Sequence, residues 1–135
     1  MSEAAVKIAC IQMEPVVGKK DENVRRGLDL VQKAAAQGAR LIVLPELCNS
    51  GYVFESREEA FALAEEIPHG PTCKAWMDVA RRHGLHKLCL EVFAHNTAAI
   101  ALYRKNGFVE EGRRVQQYRR ASGELWDSIV MGLAL

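Results

Sequence analysis

Apolar residues run along the chain in two rhythms. Residues 6–13, Val-Lys-Ile-Ala-Cys-Ile-Gln-Met, form a nearly continuous β-prone run that predicts a buried strand, ended by Pro15 and Gly18. Asp21 is suited to cap a helix, and Val24, Leu28, Val31, Ala34 and Ala35 then recur at helical spacing until Gly38 stops them. Leu41–Leu44 is a second short apolar run, halted by Pro45. Strand, helix and strand make a βαβ unit, which calls for parallel strands and a right-handed crossover.

Further on, residues 49–57 predict a loop around Gly51, and 58–66 a short helix. After a turn at Pro68-His69-Gly70-Pro71, Thr72 opens a helix through His83 with an apolar face of Ala75, Trp76, Val79 and Ala80, closed by Gly84. Residues 87–93 alternate in part and predict a third strand. Asn96 or Thr97 starts a helix carrying Ile100, Leu102 and Tyr103, with Gly107 as its stop. Residues 108–118 and 125–135 flank the turn Ala121-Ser122-Gly123-Glu124 as a hairpin. The expected order is β-α-β-α-α-β-α-β-β. The expected fold is α/β, with one mixed sheet of parallel βαβ units extended by a C-terminal antiparallel hairpin and covered by packed helices.

Composition narrows the partners. The chain has 135 residues, 49% of them hydrophobic, which suits one shared core. Its 18 Lys and Arg nearly balance 17 Asp and Glu, so a basic nucleic-acid face is not expected. No apolar run approaches the ~20 residues of a membrane span, and the first residues lack a signal-peptide layout. Cys10, Cys48, Cys73 and Cys89 are irregularly spaced with no Cys-x-x-Cys pair, which predicts free thiols in a reducing cytoplasm. His83, His86 and Cys89 lack a fourth ligand, so no metal site is expected. The pairs Arg113-Arg114 and Arg119-Arg120 read as a solvated strand face, and Trp76 and Trp126 as core or interface aromatics.

Residues 6–85 resemble the N-terminal part of the nitrilase, or carbon–nitrogen hydrolase, superfamily. The matching pieces are Lys7–Met13, the helix ending in Ala39-Arg40, then Leu41-Ile42-Val43-Leu44-Pro45-Glu46-Leu47, Ser50-Gly51-Tyr52 and Gly70-Pro71-Thr72. The resemblance implies an αββα sandwich with a Glu–Lys–Cys triad, in which Glu46 matches the general base. The family's lysine and nucleophilic cysteine lie further along its chain. Here Lys105 stands in a Tyr-Arg-Lys string like the one around that lysine, but all four cysteines precede it, so the order is wrong for the triad.

Residues 88–135 resemble the C-terminal part of a GNAT N-acetyltransferase. The string runs Leu88-Cys89-Leu90-Glu91-Val92-Phe93, then Asn96-Thr97-Ala98-Ala99-Ile100-Ala101-Leu102-Tyr103-Arg104-Lys105-Asn106-Gly107-Phe108, with Gly123-Glu124, Asp127 and Met131 beyond. The resemblance implies that Asn96 contacts the pantetheine arm of coenzyme A and that Tyr103 is a general acid for the departing thiolate. It also implies a last strand inserted beside the Leu88 strand. The family's pyrophosphate loop of backbone amides has no counterpart, because Pro71 removes an amide donor where that loop would stand and no Gly-x-Gly follows.

Two half-folds therefore meet near residues 84–88. The expectation is one domain assembled from a nitrilase-like half, 1–86, and a GNAT-like half, 87–135, an engineered or recombined chimera with no intact active site. Glu46 and Tyr103 would be vestigial catalytic residues. Asn96 and Tyr103 would be at most a residual coenzyme A contact, and no cofactor is called for. The sheet face that a hydrolase covers with its second sheet would be bare, which predicts a homodimer through that face.

Overall fold

A computed structural model describes residues 5–135. The elements follow the expected order: β1 (Ile8–Cys10), α1 (Lys20–Ala36), β2 (Leu41–Val43), α2 (Arg57–Leu63), α3 (Pro71–Arg82), β3 (Lys87–Phe93), α4 (Thr97–Lys105), β4 (Val109–Arg119) and β5 (Leu125–Ala134). The chain divides into two compact units, Met1–Leu85 and His86–Leu135.

In the first unit β1 and β2 pair in parallel, Ile8 opposite Leu41 and Cys10 opposite Val43, with α1 as the crossover. The core sets Ile11, Val31 and Val79 against Leu28, Ile42, Leu44 and Trp76. In the second unit the strands pair antiparallel in the order β3-β5-β4, so the last strand does insert beside the Leu88 strand. As the central strand, β5 buries Ser128, Ile129, Met131 and Gly132, and α4 contributes buried Ile100.

The α/β class and the element order hold; the single mixed sheet is corrected. The described strands form a two-stranded parallel sheet and a three-stranded antiparallel one. The reason lies in ladder length. β1 and β2 span three residues each and satisfy one another, whereas β3 finds a partner in β5 along its full length, from Lys87–Ala134 to Phe93–Ser128.

Three helices end by one device. α1 passes into Gln37 and then Gly38 at φ 84°; the Gly38 N–H returns to Ala35 and the Ala39 N–H to Ala34. Only glycine takes this left-handed conformation at little cost, so the stop is legible from one residue. α3 and α4 close in the same way through Gly84 and Gly107. Helix starts are less direct. Asp21 lies in the first turn of α1 rather than at its cap, where its charge favours the helix dipole. α2 begins earlier than expected because Ser56 caps it, accepting from the Glu59 N–H at 3.1 Å, while Glu59 accepts from the Glu55 N–H.

Candidate functional site

Glu46 opens the turn that follows β2 and Pro45. It is exposed, and its carboxylate bonds to no described residue. The loop around it is nonetheless tied down. Asn23, fully buried on α1, donates to the carbonyls of Val16 at 2.7 Å and Asn49 at 2.9 Å, and its Oδ1 accepts from the Val16 N–H at 2.9 Å. Gly51 sits at φ 89° against Val17, where a Cβ would stand 2.7 Å from the Val17 Cα. Two residues past Glu46, Cys48 is half-buried, and burial pushes its thiol pKa above the ordinary value. Cys73 is shifted the same way, by burial first and then by the charge of Glu65. The thiolate is the reactive form, so neither shift by itself activates a cysteine.

A cleft of about 400 Å³ lies between α1 and α3, its floor lined by Val24, Leu28 and Ala75. Glu65 closes one end. Its carboxylate pairs with Lys20 at 3.0 Å and accepts from both the amide and the hydroxyl of Thr72, at 2.8 and 2.9 Å. Burial alone would raise the Glu65 pKa, but the Thr72 amide and the Lys20 ammonium together hold it below the ordinary value. This carboxylate takes the Thr72 amide in the first turn of α3, where the N-cap Gly70 offers no side-chain cap.

In the second unit Asn96 is the N-cap of α4, its Oδ1 accepting from the Ala99 N–H at 3.2 Å. Tyr103 packs its ring edge-on to Phe108 with centroids 5.7 Å apart. These two positions flank the Gly107 stop, and such a contact commonly accompanies this kind of helix end. Both residues have structural duties whether or not a cofactor binds.

The alternation of β3 places Lys87, Cys89, Glu91 and Phe93 on one sheet face. There the Glu91 carboxylate, not singled out from the sequence, receives Arg114 at 3.1 Å, Tyr118 at 3.3 Å and the hydroxyl of fully buried Ser128. Phe93 meets both Tyr118 and Trp126 edge-on at 5.2 Å, and Arg120 lies 4.4 Å over the Trp126 ring. A single carboxylate in a strand whose other charge is Lys87 at its start was the available signal. Its partners are 23 to 37 residues away in sequence, beyond the reach of local pattern. The Arg pairs divide their work: Arg113 and Arg114 engage Asp127 and Glu91, so the first pair is ion-paired rather than merely solvated. Among the described residues no cluster of three or more His, Cys, Asp or Glu could hold a metal ion, and no helix is long and apolar enough to cross a membrane.

Comparison with known proteins adds the family. The chain is 38% identical over 120 residues to a nitrilase of Pyrococcus abyssi, covering 85% of this chain and 45% of the relative. It is 28% identical over 117 residues to 2-oxoglutaramate amidase of Bacillus subtilis, covering 84% and 42%. It thus spans less than half the length of these curated relatives. Among solved structures, a GNAT-family acetyltransferase of Streptococcus pneumoniae matches at 32% identity, covering 46% of this chain and 38% of that one, with a TM-score of 0.40. The ribosomal-protein-S18-alanine N-acetyltransferase of Escherichia coli matches at 39% identity, covering 45% and 39%, with a TM-score of 0.39. The two hydrolase relatives agree with the resemblance carried by residues 6–85. The carbon–nitrogen hydrolase sequence model covers residues 7–130, past the Leu85 where the motif-by-motif likeness ends. With most of its length matched in this way, the chain belongs to the carbon–nitrogen hydrolase family.

Proposed function

We propose that these 135 residues form an engineered or recombined chimera that, on its own, carries no intact active site of either group it resembles. One observation carries this reading. Glu46, which matches the hydrolase base, stands exposed and bonds to no other described residue, while burial pushes the thiol pKa of Cys48 above its ordinary value. The order of residues supports it, since all four cysteines precede Lys105. The free state of the four thiols supports a reducing, cytoplasmic setting. A burst assay with an activated ester and an amide tests the proposal. No burst is expected from the wild type, and Glu46→Gln should leave the trace unchanged.

The relatives named nitrilase and 2-oxoglutaramate amidase favour a second reading, residual carbon–nitrogen hydrolysis with Glu46 as base. A burst that Glu46→Gln abolishes would establish it and overturn the first. Residual coenzyme A binding at Asn96 and Tyr103 is tested by calorimetry with coenzyme A. Because the pyrophosphate loop of backbone amides has no counterpart here, no heat is expected.

A further inference from the structure

The two outer edges of the β3-β5-β4 sheet are built differently. β4 is guarded. It has register shifts between Glu110 and Gly112 and between Arg114 and Tyr118, a positive φ of 53° at Gln116, and charges at Glu110, Glu111, Arg113, Arg114 and Arg119. These are the devices by which natural sheets keep an edge from pairing. β3 has no bulge and no positive φ, its charges are confined to Lys87 and Glu91, and its ladder is regular over all seven residues.

The hydrogen bonds show which groups β3 leaves open. The Leu135 N–H donates to the His86 carbonyl and the Ala94 N–H to the Asp127 carbonyl, so even-numbered residues bond toward β5. In an antiparallel ladder the alternate residues turn their amides the other way. Lys87, Cys89 and Glu91 therefore present backbone N–H and C=O groups on the free edge, and no strand among the described residues pairs with it.

We propose that this edge pairs antiparallel with β3 of a second copy, about a two-fold axis at Cys89. In that register Lys87 of each copy lies opposite Glu91 of the other, and Cys89 lies opposite Cys89. All are outward-bonding residues, so each pair exchanges both backbone bonds. Opposite charges meet twice on one face, while Leu88 of each copy meets Leu90 of the other on the opposite face. Shifting the axis to Leu90 would put Lys87 opposite Phe93 and Cys89 opposite Glu91, losing both ion pairs. Lys87 already makes two bonds to Glu111, and Glu91 already accepts three, from Arg114, Tyr118 and Ser128, but an ammonium has three donors and a carboxylate about four acceptor sites, so one on each remains for the partner.

Sedimentation equilibrium at tens of micromolar, with two variants, tests this. The wild type is expected to dimerise. Lys87→Glu sets like charges opposite each other twice and should raise the dimer dissociation constant about tenfold or more. Cys89→Pro removes an outward amide while sparing the β5 ladder, and should give a monomer with an unchanged far-UV spectrum. If that variant fails to fold, Lys87→Glu decides. Diamide supplies a second readout: it takes two electrons and two protons from a pair of thiols and leaves a disulfide. Residues in such pairs have Cα atoms about 5.5 Å apart, within disulfide range. Peptide mapping should find Cys89 joined to Cys89. A wild type that stays monomeric overturns the proposal. So does a dimer insensitive to Lys87→Glu, or one whose oxidation joins Cys10, which would direct attention to the exposed Ile8, Leu41 and Val43 of β1 and β2.

Discussion

Replacing Asn23 tests whether the loop that carries Glu46 is held as the geometry indicates. The side chain is fully buried and makes three hydrogen bonds, two to Val16 and one to Asn49. A typical net value of about 1 kcal/mol per bond gives about 3 kcal/mol lost in Asn23→Ala. Alanine regains about 0.5 kcal/mol through its better helix propensity in α1. Val16 is 48% exposed, so water can recover part of its share. The expected loss is thus about 2 kcal/mol. Asn23→Asp separates this from a simple volume effect. It keeps the acceptor for the Val16 N–H but turns an anionic oxygen toward two carbonyls in a buried site, so it should be at least as damaging at neutral pH. Because Trp76 and Trp126 lie in different units, urea unfolding followed by Trp76 fluorescence in a Trp126→Phe background reads the first unit alone. A loss below about 1 kcal/mol for Asn23→Ala, or an Asn23→Asp protein more stable than it, would refute the reasoning.

Gly51→Ala should cost about 2–4 kcal/mol in the same assay, since φ is 89° and the new Cβ would meet the Val17 backbone at 2.7 Å; a neutral result would mean that the loop moves freely. Glu65 contributes stability with a defined pH sign. Its folded pKa lies below the ordinary 4.5, so the contribution is present above that value and fades as pH falls through it toward the folded pKa. Glu65→Gln should therefore lower stability at pH 7 and flatten its dependence on pH in the acid range, as followed by urea midpoints at a series of pH values. Asn96→Ala should destabilise the second unit by about 1 kcal/mol through loss of the cap, and Asn96→Ser should restore most of it, as read by Trp126 in a Trp76→Phe background.

What was legible in the sequence is what depends on neighbours a few residues away. Gly38, Gly84 and Gly107 each mark a helix end because the left-handed residue and its two return bonds lie within one short stretch. The alternation over residues 87–93 is legible because period two is written into the strand itself. The inserted last strand was legible only through the resemblance carried by residues 96–108. The number of sheets was not legible, because it turns on which strand a short ladder chooses, and β1 and β2 are too short to advertise a third partner.

Site chemistry fails the same test of locality. Glu46 sits in a motif, Leu-Pro-Glu-Leu, that local pattern places well, and the loop around it is anchored by Asn23, 26 residues before the Asn49 carbonyl it holds. Yet a general base is defined by the group whose proton it takes, and that group must come from elsewhere in the fold. Glu91 shows the converse: nothing within the strand marks it except its charge, and a hydroxyl from Ser128, 37 residues on, completes its environment. A segment can thus keep every local device that shapes its backbone while the chemistry its motif once served is absent. At Glu46 the burst assay separates a preserved loop from a working base, because Glu46→Gln alters the second and leaves the Asn23 bonds of the first in place.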